Sequence, residues 1–199
     1  RTGFSVEIVE GIDENRLTFM AVQYAIRGLQ PEISRSNTLI IEVGGGSTEV
    51  MLLQRGKMAA AHSLNIGTVR IEQQLKSIAQ TYHVERFLKE QTYTTLEVLD
   101  SELELKRIRY FIAVGSHARL VAQKVRQKIN EWYWILEKQE YDAFVDKIKY
   151  MNTDECVREL NISYDEAEGL VTSLIVYQQF MKGTSATSLI IPNVSIREG

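Results

Sequence analysis

The sequence predicts an α/β domain with a mixed sheet, and three observations lead to this prediction. Three short strands joined by tight turns follow one another between residues 38 and 63, which indicates an antiparallel meander. Helical patterns then alternate with further short strands up to residue 192. The composition, 44% hydrophobic and 25% charged, is that of an ordinary globular protein with a real core. A meander followed by alternating helices and strands is typical of an α/β domain.

The first elements are a strand and a helix. Residues 5–9 alternate apolar and polar side chains, which indicates a strand that runs into Gly11. Residues 13–27 place apolar side chains three and four positions apart and precede Gly28, so we expect an amphipathic helix that ends there. A polar connector at residues 31–37 then leads to the sheet.

The meander is predicted from three apolar or alternating runs. Residues 38–43 (TLIIEV) and 47–53 (STEVMLL) are the first two strands, and a run of three glycines breaks the chain between them. An Arg-Gly turn follows, and residues 57–63 return as the third strand.

The rest of the chain predicts mainly helices. Residues 68–108 are mostly helical, with breaks expected near Tyr82 and Gln91, and residues 109–114 (RYFIAV) form a buried strand. A helix begins after this strand, and the helical pattern continues through residues 132–151.

The last elements are two further helices and a strand. The helices are expected to begin at Asn152 and Ser163, and the second runs through Met181. Residues 188–192 (SLIIP) form the last strand. An aromatic run, Trp132-Tyr133-Trp134, lies within the preceding helical region, where we expect the rings to fill the core; the alternative is that one ring is half exposed and covers another domain or subunit.

Charge and cysteine content narrow the class of protein. The 199 residues carry 23 Lys and Arg against 26 Asp and Glu, which gives a net charge of −3. The overall charge therefore gives no reason to expect binding to a nucleic acid polymer or to an anionic membrane. No stretch approaches the roughly 18 apolar residues of a transmembrane helix. Cys156 is the only cysteine and cannot form an internal disulfide. We therefore expect a cytoplasmic protein in which Cys156 belongs to the core.

The strongest local signal is the segment IEVGGGSTEV at residues 41–50. Consecutive glycines allow a positive φ and let several N–H groups converge on an anion such as a phosphoryl group. Glu42 precedes the glycines and Glu49 follows them, and hard carboxylate oxygens suit Mg²⁺ or the waters of its shell. The alternative interpretation is a hairpin turn in which the glycines serve only the backbone conformation of the turn.

A second candidate site lies where a predicted strand meets a predicted helix. Gly115 and Ser116 could direct the N–H groups of a helix N-terminus toward an anion. The alternative is an ordinary helix start capped by serine. His117 follows, and we expect a lone histidine of this kind to be satisfied or exposed rather than catalytic.

These segments resemble, in the same order along the chain, motifs of the Ppx/GppA family of exopolyphosphatases and guanosine pentaphosphate phosphohydrolases. IEVGGGSTEV is similar to the family's I-D-I-G-G-G-S-T-E-L. Four further segments resemble family motifs: EGIDENRL (10–17), LNIGTVR (64–70), AVGSHA (113–118) and SIREG (195–199).

The resemblance implies a fold and a place in a larger protein. The implied fold is a ribonuclease-H-like lobe of the actin-like ATPase superfamily, with a mixed five-stranded type of sheet flanked by helices. The family's first lobe, with its D-x-G-S-N-S loop, has no counterpart here. Residues 1–199 are therefore expected to form the second lobe of a two-lobe enzyme and to hydrolyse substrate poorly on their own. The resemblance leaves a homodimer open.

The resemblance also implies roles for individual residues. Glu14 matches the family's catalytic glutamate, which orients or deprotonates the attacking water, and Glu42 and Glu49 match the acids that hold Mg²⁺ or another divalent cation. The implied phosphate-binding set is Gly44, Gly45, Gly46, Ser47, Thr48, Arg16, Arg70, Gly115 and Ser116. The implied substrates are inorganic polyphosphate, which loses terminal phosphates, and guanosine pentaphosphate, which loses its 5′ phosphate.

Three departures from the family pattern support an alternative function, and the first is His117, which stands at the family's threonine-like position or one residue from it. Glu42 stands where the family has Asp, and the extra methylene moves the carboxylate by about 1.5 Å. Residues 192–194 (PNV) replace an S-D-G-like turn. The alternative is a non-catalytic sensor of phosphate or nucleotide with the same fold. A sugar or acetate kinase of the superfamily is a third hypothesis, but the sequence has no convincing acceptor-sugar Asp or adenosine-binding glycine pair.

Overall fold

A computed structural model describes residues 11–77, 84–126 and 130–195. The described helices are α1 (Gly11–Ala25), α2 (Gln30–Ile33), α3 (Thr68–Ser77), α4 (Val84–Leu103), α5 (Ser116–Val125), α6 (Lys138–Ile148), α7 (Thr153–Leu160), α8 (Tyr164–Ala167) and α9 (Leu170–Gly183). The described strands are β1 (Asn37–Val43), β2 (Thr48–Gln54), β3 (Lys57–Leu64), β4 (Ile108–Val114), β5 (Tyr133–Glu137) and β6 (Ser188–Pro192). The strand expected at residues 5–9, the break expected near Tyr82 and the motif at residues 195–199, apart from its first residue, lie outside the described residues.

The described strands form one six-stranded mixed sheet in the order β3-β2-β1-β4-β6-β5. The predicted meander is confirmed, because β1 pairs antiparallel with β2, and β2 with β3. In the centre, β1 pairs parallel with β4 and β4 with β6. Parallel neighbours end at the same edge, so the residues that follow β1 and β4 lie side by side.

Helices cover both faces of the sheet and bury two apolar clusters. Side chains of a strand alternate between the faces, so on β1 Ile40 packs toward α1, whereas Leu39 and Ile41 pack toward the larger helical layer. All three are fully buried, and burial of such a side chain contributes about 1.5–3 kcal/mol. Cys156 lies in the larger cluster, as predicted. No helix of the described segments combines the length and the apolarity that crossing a membrane requires.

One region differs from its prediction. Residues 132–151 are not continuously helical, because residues Tyr133–Glu137 form β5, an edge strand antiparallel to β6. Trp134 and Leu136 fall in the larger cluster and Tyr133 in the smaller one, which is the alternation of a strand between two covered faces. A capping box between Glu137 and Glu140 then starts α6.

Two helix boundaries also differ from the predictions. Helix α4 continues through Gln91 without the expected break. The helix predicted from Ser163 through Met181 is divided, because Gly169 has a φ of +71° between α8 and α9. A Cβ on Gly169 would lie 2.9 Å from Cβ of Thr68, so glycine is needed there to let α9 approach the start of α3. The N-cap predicted at Asn152 is confirmed.

Candidate functional site

The candidate site lies at the edge of the sheet where β1 and β4 end. Glu42 on β1 pairs across the sheet with Glu49 on β2, so both side chains point to the face that α1 covers. Two polar side chains of α1, three residues apart, meet them. Asn15 donates to Glu49 Oε2 over 3.1 Å, and Thr18 donates to Glu42 Oε2 over 2.8 Å. These contacts bring α1, which carries Glu14, to the pair of carboxylates.

The three glycines form a short exposed loop, which we call the glycine loop (Gly44–Gly46). The Gly44 N–H donates to the Ser47 carbonyl over 2.9 Å and closes the turn. None of the three glycines has a positive φ, so that part of the prediction is wrong. Gly44 and Gly45 are closely packed instead, because a Cβ on them would lie 3.3 Å from the Ser47 carbonyl oxygen and from Cγ2 of Val69, whereas a Cβ on Gly46 would meet nothing within 4 Å.

The loop carbonyls and the loop N–H groups have different partners. The Gly44 and Gly45 carbonyls accept from the N–H groups of Thr68 and Val69, each over 3.0 Å, and so cap α3. In the described part of the chain, the N–H groups of Gly45, Gly46 and Ser47 donate to no protein acceptor. The glycine loop is therefore free to donate several hydrogen bonds to an anion.

Among the described residues, Glu49 is held by neutral donors only. Its side chain is 8% exposed. Besides the bond from Asn15, its Oε1 accepts from Ser47 Oγ over 2.8 Å and from Ser63 Oγ over 2.7 Å. These three bonds satisfy most of the carboxylate's capacity of about four. The site thus fixes one acid rigidly behind the loop.

Glu42 is half-buried, and burial raises its pKa. The hydrogen bond from Thr18 opposes this shift, the negative charges of Glu14 and Glu49 add to it, and the positive charge of Arg119 opposes it. Glu14, which is exposed in the first turn of α1, therefore lies close enough for its charge to act on Glu42. The structure therefore brings all three predicted acids into one electrostatic cluster.

The remaining predicted phosphate ligands differ in how close they lie to the glycine loop. Gly115 lies beside the residue that precedes the glycine loop, since a Cβ on Gly115 would be 3.8 Å from the Val43 carbonyl oxygen, and Ser116 follows it in the chain. Arg70 is exposed in the first turn of α3, and its N–H approaches the Gly45 carbonyl at 3.4 Å. Arg16 is exposed on α1 and forms no ion pair with a described residue.

Thr48 is also a predicted phosphate ligand, but its side chain is not available to bind an anion. Its side chain is fully buried on the opposite face from Glu49, and its hydroxyl donates to the Ile66 carbonyl. The hydroxyl that the sequence assigns to phosphate is therefore committed to the packing beneath the loop.

The junction of β4 and α5 differs in detail from a serine-capped start. Gly115 is the N-cap, with a φ of +134°, and Ser116 is the exposed first residue of the helix. No side chain of the described residues caps this N-terminus, so the first N–H groups of α5 are open with respect to that part of the chain. His117 bonds through Nδ1 to Ser173 Oγ over 2.7 Å, and burial lowers its pKa. It is a satisfied histidine, as predicted.

Sequence patterns missed five residues at the site. Asn15, Thr18 and Ser63 bond to its carboxylates, and Arg119 acts on Glu42 while it donates to the Val194 carbonyl over 2.8 Å. Tyr177, on α9, contacts the ends of β1 and β4. Asn15 and Thr18 had a signal, because their spacing of three places both on the buried face of a helix.

The acids fit a magnesium ion that keeps much of its water. Among the described residues no group of three or more His, Cys, Asp or Glu side chains could hold a metal by itself. Mg²⁺ is usually bound by one or two carboxylates, several waters and the phosphates of a substrate. If Mg²⁺ binds here, Glu42 and Glu49 would supply the carboxylates, and Asn15 Oδ1 beside them is buried without a partner in the described chain, which suits a bound water.

The fold and the site define an α/β domain with a six-stranded mixed sheet, and a glycine loop and paired carboxylates lie at one edge of that sheet. The chain belongs to the Ppx/GppA phosphatase family, whose sequence model matches residues 1–199.

Solved structures of this family show the same fold. An exopolyphosphatase from Cytophaga hutchinsonii is 16% identical with a TM-score of 0.74, and the type II variant of the Aquifex aeolicus Ppx/GppA phosphatase is 20% identical with a TM-score of 0.69. Each similarity covers 98% of this chain but only 64% of the other protein. The chain therefore spans less than two thirds of the length of these proteins.

Proposed function

We propose that this chain is the phosphate-binding lobe of a hydrolase that releases the terminal phosphate of inorganic polyphosphate, the 5′ phosphate of guanosine pentaphosphate, or both. The observation that carries the proposal is the set of unpartnered N–H groups at Gly45, Gly46 and Ser47 beside the acids. Since the similar proteins are longer, we propose that a first lobe closes the cleft over this site and completes the enzyme.

Positioning and electrostatics supply most of the catalysis in such a reaction. The free N–H groups of the glycine loop and of the start of α5 would bind the oxygens of the phosphoryl group to be transferred, with Arg70 adding positive charge. Magnesium, when bound near Glu42 and Glu49, would neutralise further charge on those oxygens.

Glu14 is proposed as the base. It is exposed, so it can reach a water, and it acts on Glu42 through its charge, so it lies at the same edge of the site. Glu14 would take the proton as the water oxygen bonds to phosphorus and the bond to the bridging oxygen breaks. The leaving phosphate chain keeps that bridging oxygen and its electron pair.

A second candidate function is a sensor that binds phosphate without hydrolysing it. Two observations favour it: Glu49 already accepts three bonds from neutral donors, and the raised pKa of Glu42 disfavours its charged form. Both features lower the affinity of the acids for a cation. The two candidates differ in turnover, not in phosphate binding.

The test is phosphate release by the full-length protein with polyphosphate and guanosine pentaphosphate side by side, with and without Mg²⁺. We expect Glu14→Gln to lower the rate about 10²–10⁴-fold, the usual contribution of a general base. Asp13→Asn is the matched control, since Asp13 is the neighbouring exposed acid of the same helix turn, and we expect a change below threefold. Wild-type activity in Glu14→Gln would refute the assignment, and binding without any release would establish the sensor.

A further inference from the structure

We propose that Tyr177 is a positioning residue for the phosphate site, because its hydroxyl ties together the two backbone segments that form it. The inference rests on the function proposed above. It concerns a residue in the centre of α9, remote in sequence from every motif that indicated the site.

One hydroxyl bridges the ends of two parallel strands. Tyr177 is 1% exposed, and its side chain reaches the sheet from the larger helical layer. The N–H of Val43 donates to the Tyr177 hydroxyl over 3.3 Å, and the hydroxyl donates in turn to the carbonyl of Val114. Val43 directly precedes the glycine loop, and Val114 directly precedes Gly115.

The parallel pairing of β1 with β4 stops one residue before Val43. The parallel register of β1 and β4 ends at Glu42 with Val114. An apolar side chain in place of Tyr177 would leave the Val43 N–H and the Val114 carbonyl without this partner, and burying unpaired backbone groups is costly. The hydroxyl therefore continues the connection between the strands by one more step, at the point where both chains turn into the loops.

The packing around Gly115 indicates that this contact is specific. A Cβ on Gly115 would lie 3.0 Å from the Tyr177 hydroxyl oxygen, so glycine is what allows the phenol so close to the backbone. Ser173, one helical turn earlier on α9, bonds to His117 in the first turn of α5. Helix α9 thus holds the junction of β4 and α5 through two side chains of one face.

The consequence is that Tyr177 sets the separation of the two groups of free N–H donors. One group belongs to the glycine loop and the other to the start of α5. An anion that accepts from both groups binds well only when their separation is fixed before it arrives. Tyr177 touches none of the proposed reacting atoms and acts through the backbone.

The test compares Tyr177→Phe with Tyr141→Phe in this 199-residue chain. Tyr141, on α6, is also fully buried, and its hydroxyl donates to the carbonyl of Leu174 on α9 over 2.8 Å. The control variant therefore loses an equivalent hydrogen bond to α9, away from the loops. Affinity for tripolyphosphate with Mg²⁺ is measured by calorimetry, and stability by urea unfolding. We expect both variants to lower the unfolding midpoint, but only Tyr177→Phe to weaken binding, by about tenfold.

A measurement on the wild-type chain covers the case in which a variant fails to fold. We expect saturating tripolyphosphate to slow hydrogen exchange of the Val43 N–H, which bonds to Tyr177 and lies outside the loop, while an amide of β3 such as Ala60 is unaffected. Unchanged exchange at Val43, or equal losses of affinity in both variants, would overturn the role of Tyr177 and would leave the proposed function intact. Failure of the wild-type chain to bind tripolyphosphate would instead refute the proposed function.

Discussion

Asn15 donates its side-chain N–H to Glu49 Oε2 over 3.1 Å, while its own Oδ1 is buried without a partner in the described chain. Together with Ser47 and Ser63, it makes Glu49 a buried acid whose hydrogen-bond partners are all neutral. Within the described segments, no counter-charge offsets this carboxylate through a direct bond. The buried position of Glu49 therefore depends on neutral hydrogen-bond donors, and this site tolerates a second negative charge poorly.

We expect Asn15→Asp to destabilise the protein strongly at neutral pH. The two side chains have the same shape, but aspartate replaces a donor with a carboxylate beside Glu49. The free energy of unfolding should fall by roughly 2–4 kcal/mol at pH 7, the range for breaking a buried charged contact. The loss should shrink near pH 4, because the introduced aspartate approaches the ordinary aspartate pKa of about 3.9 there. Urea unfolding at the two pH values measures it.

The matched control is Asn152→Asp. Asn152 is exposed and caps α7 by accepting from the Glu155 N–H, which aspartate does equally well. We expect a change below about 0.5 kcal/mol. A loss of the same size in both variants would show that the charge beside Glu49 is not the cause.

The second prediction concerns the pH dependence of stability through Glu42. Burial raises its pKa above the ordinary value of 4.5, so the fold prefers the protonated form. The stabilising contribution is fully present below pH 4.5 and is lost as the pH rises through the raised pKa. Glutamine cannot ionise and still offers Thr18 an acceptor. Glu42→Gln should therefore match the wild type near pH 4 and be more stable at pH 7.

Glu159→Gln provides a control of opposite sign. Lys147 bonds to Glu159 and lowers its pKa, so this exposed acid favours the fold in its charged form. Its replacement should cost a small amount of stability at pH 7 and none at low pH. Unfolding curves from pH 4 to pH 8 distinguish the two. A Glu42→Gln variant less stable than the wild type at pH 7 would contradict the raised pKa.

The sequence predicted the centre of the fold because its signals there are local. The alternation in residues 38–63 and the glycine run suffice for the meander, and the ends of β1 and β4 then follow from parallel pairing. The same reasoning placed Glu42 and Glu49 together. It failed at β5, because a five-residue strand next to helical sequence has no periodicity long enough to identify it.

The supporting residues of the site could not be predicted for a different reason. Tyr177 bonds to Val43 across 134 positions of sequence, and Ser63 bonds to Glu49 only because β3 pairs with β2. No local pattern encodes such contacts, which arise when separate elements pack. Thr48 shows the converse, since its motif position indicates a ligand but its strand register buries it.

The third prediction distinguishes Trp134, which lies in the edge strand β5, from Trp132, which directly precedes that strand. Trp134 is 1% exposed within the larger cluster, so Trp134→Ala should lower the free energy of unfolding by about 3–5 kcal/mol. Trp132 is half-buried and contacts Tyr24 edge to face at 5.0 Å, beneath the guanidinium of Arg27. Trp132→Ala should cost only about 1–2 kcal/mol. Urea unfolding of both variants tests the strand, and equal losses would contradict it.

The fourth prediction is that Gly67→Ala displaces the glycine loop. A Cβ on Gly67 would lie 2.3 Å from the Gly46 carbonyl carbon and 2.4 Å from the Gly45 oxygen, distances that no side-chain adjustment can relieve. The loop must move, at a cost of about 1–3 kcal/mol or more, and its N–H groups leave their places. We expect lower stability together with loss of tripolyphosphate binding. Gly28→Ala is the control, because its Cβ meets nothing within 4 Å, and both quantities should stay near wild type. Wild-type binding by a folded Gly67→Ala variant would show that the loop does not bind the anion.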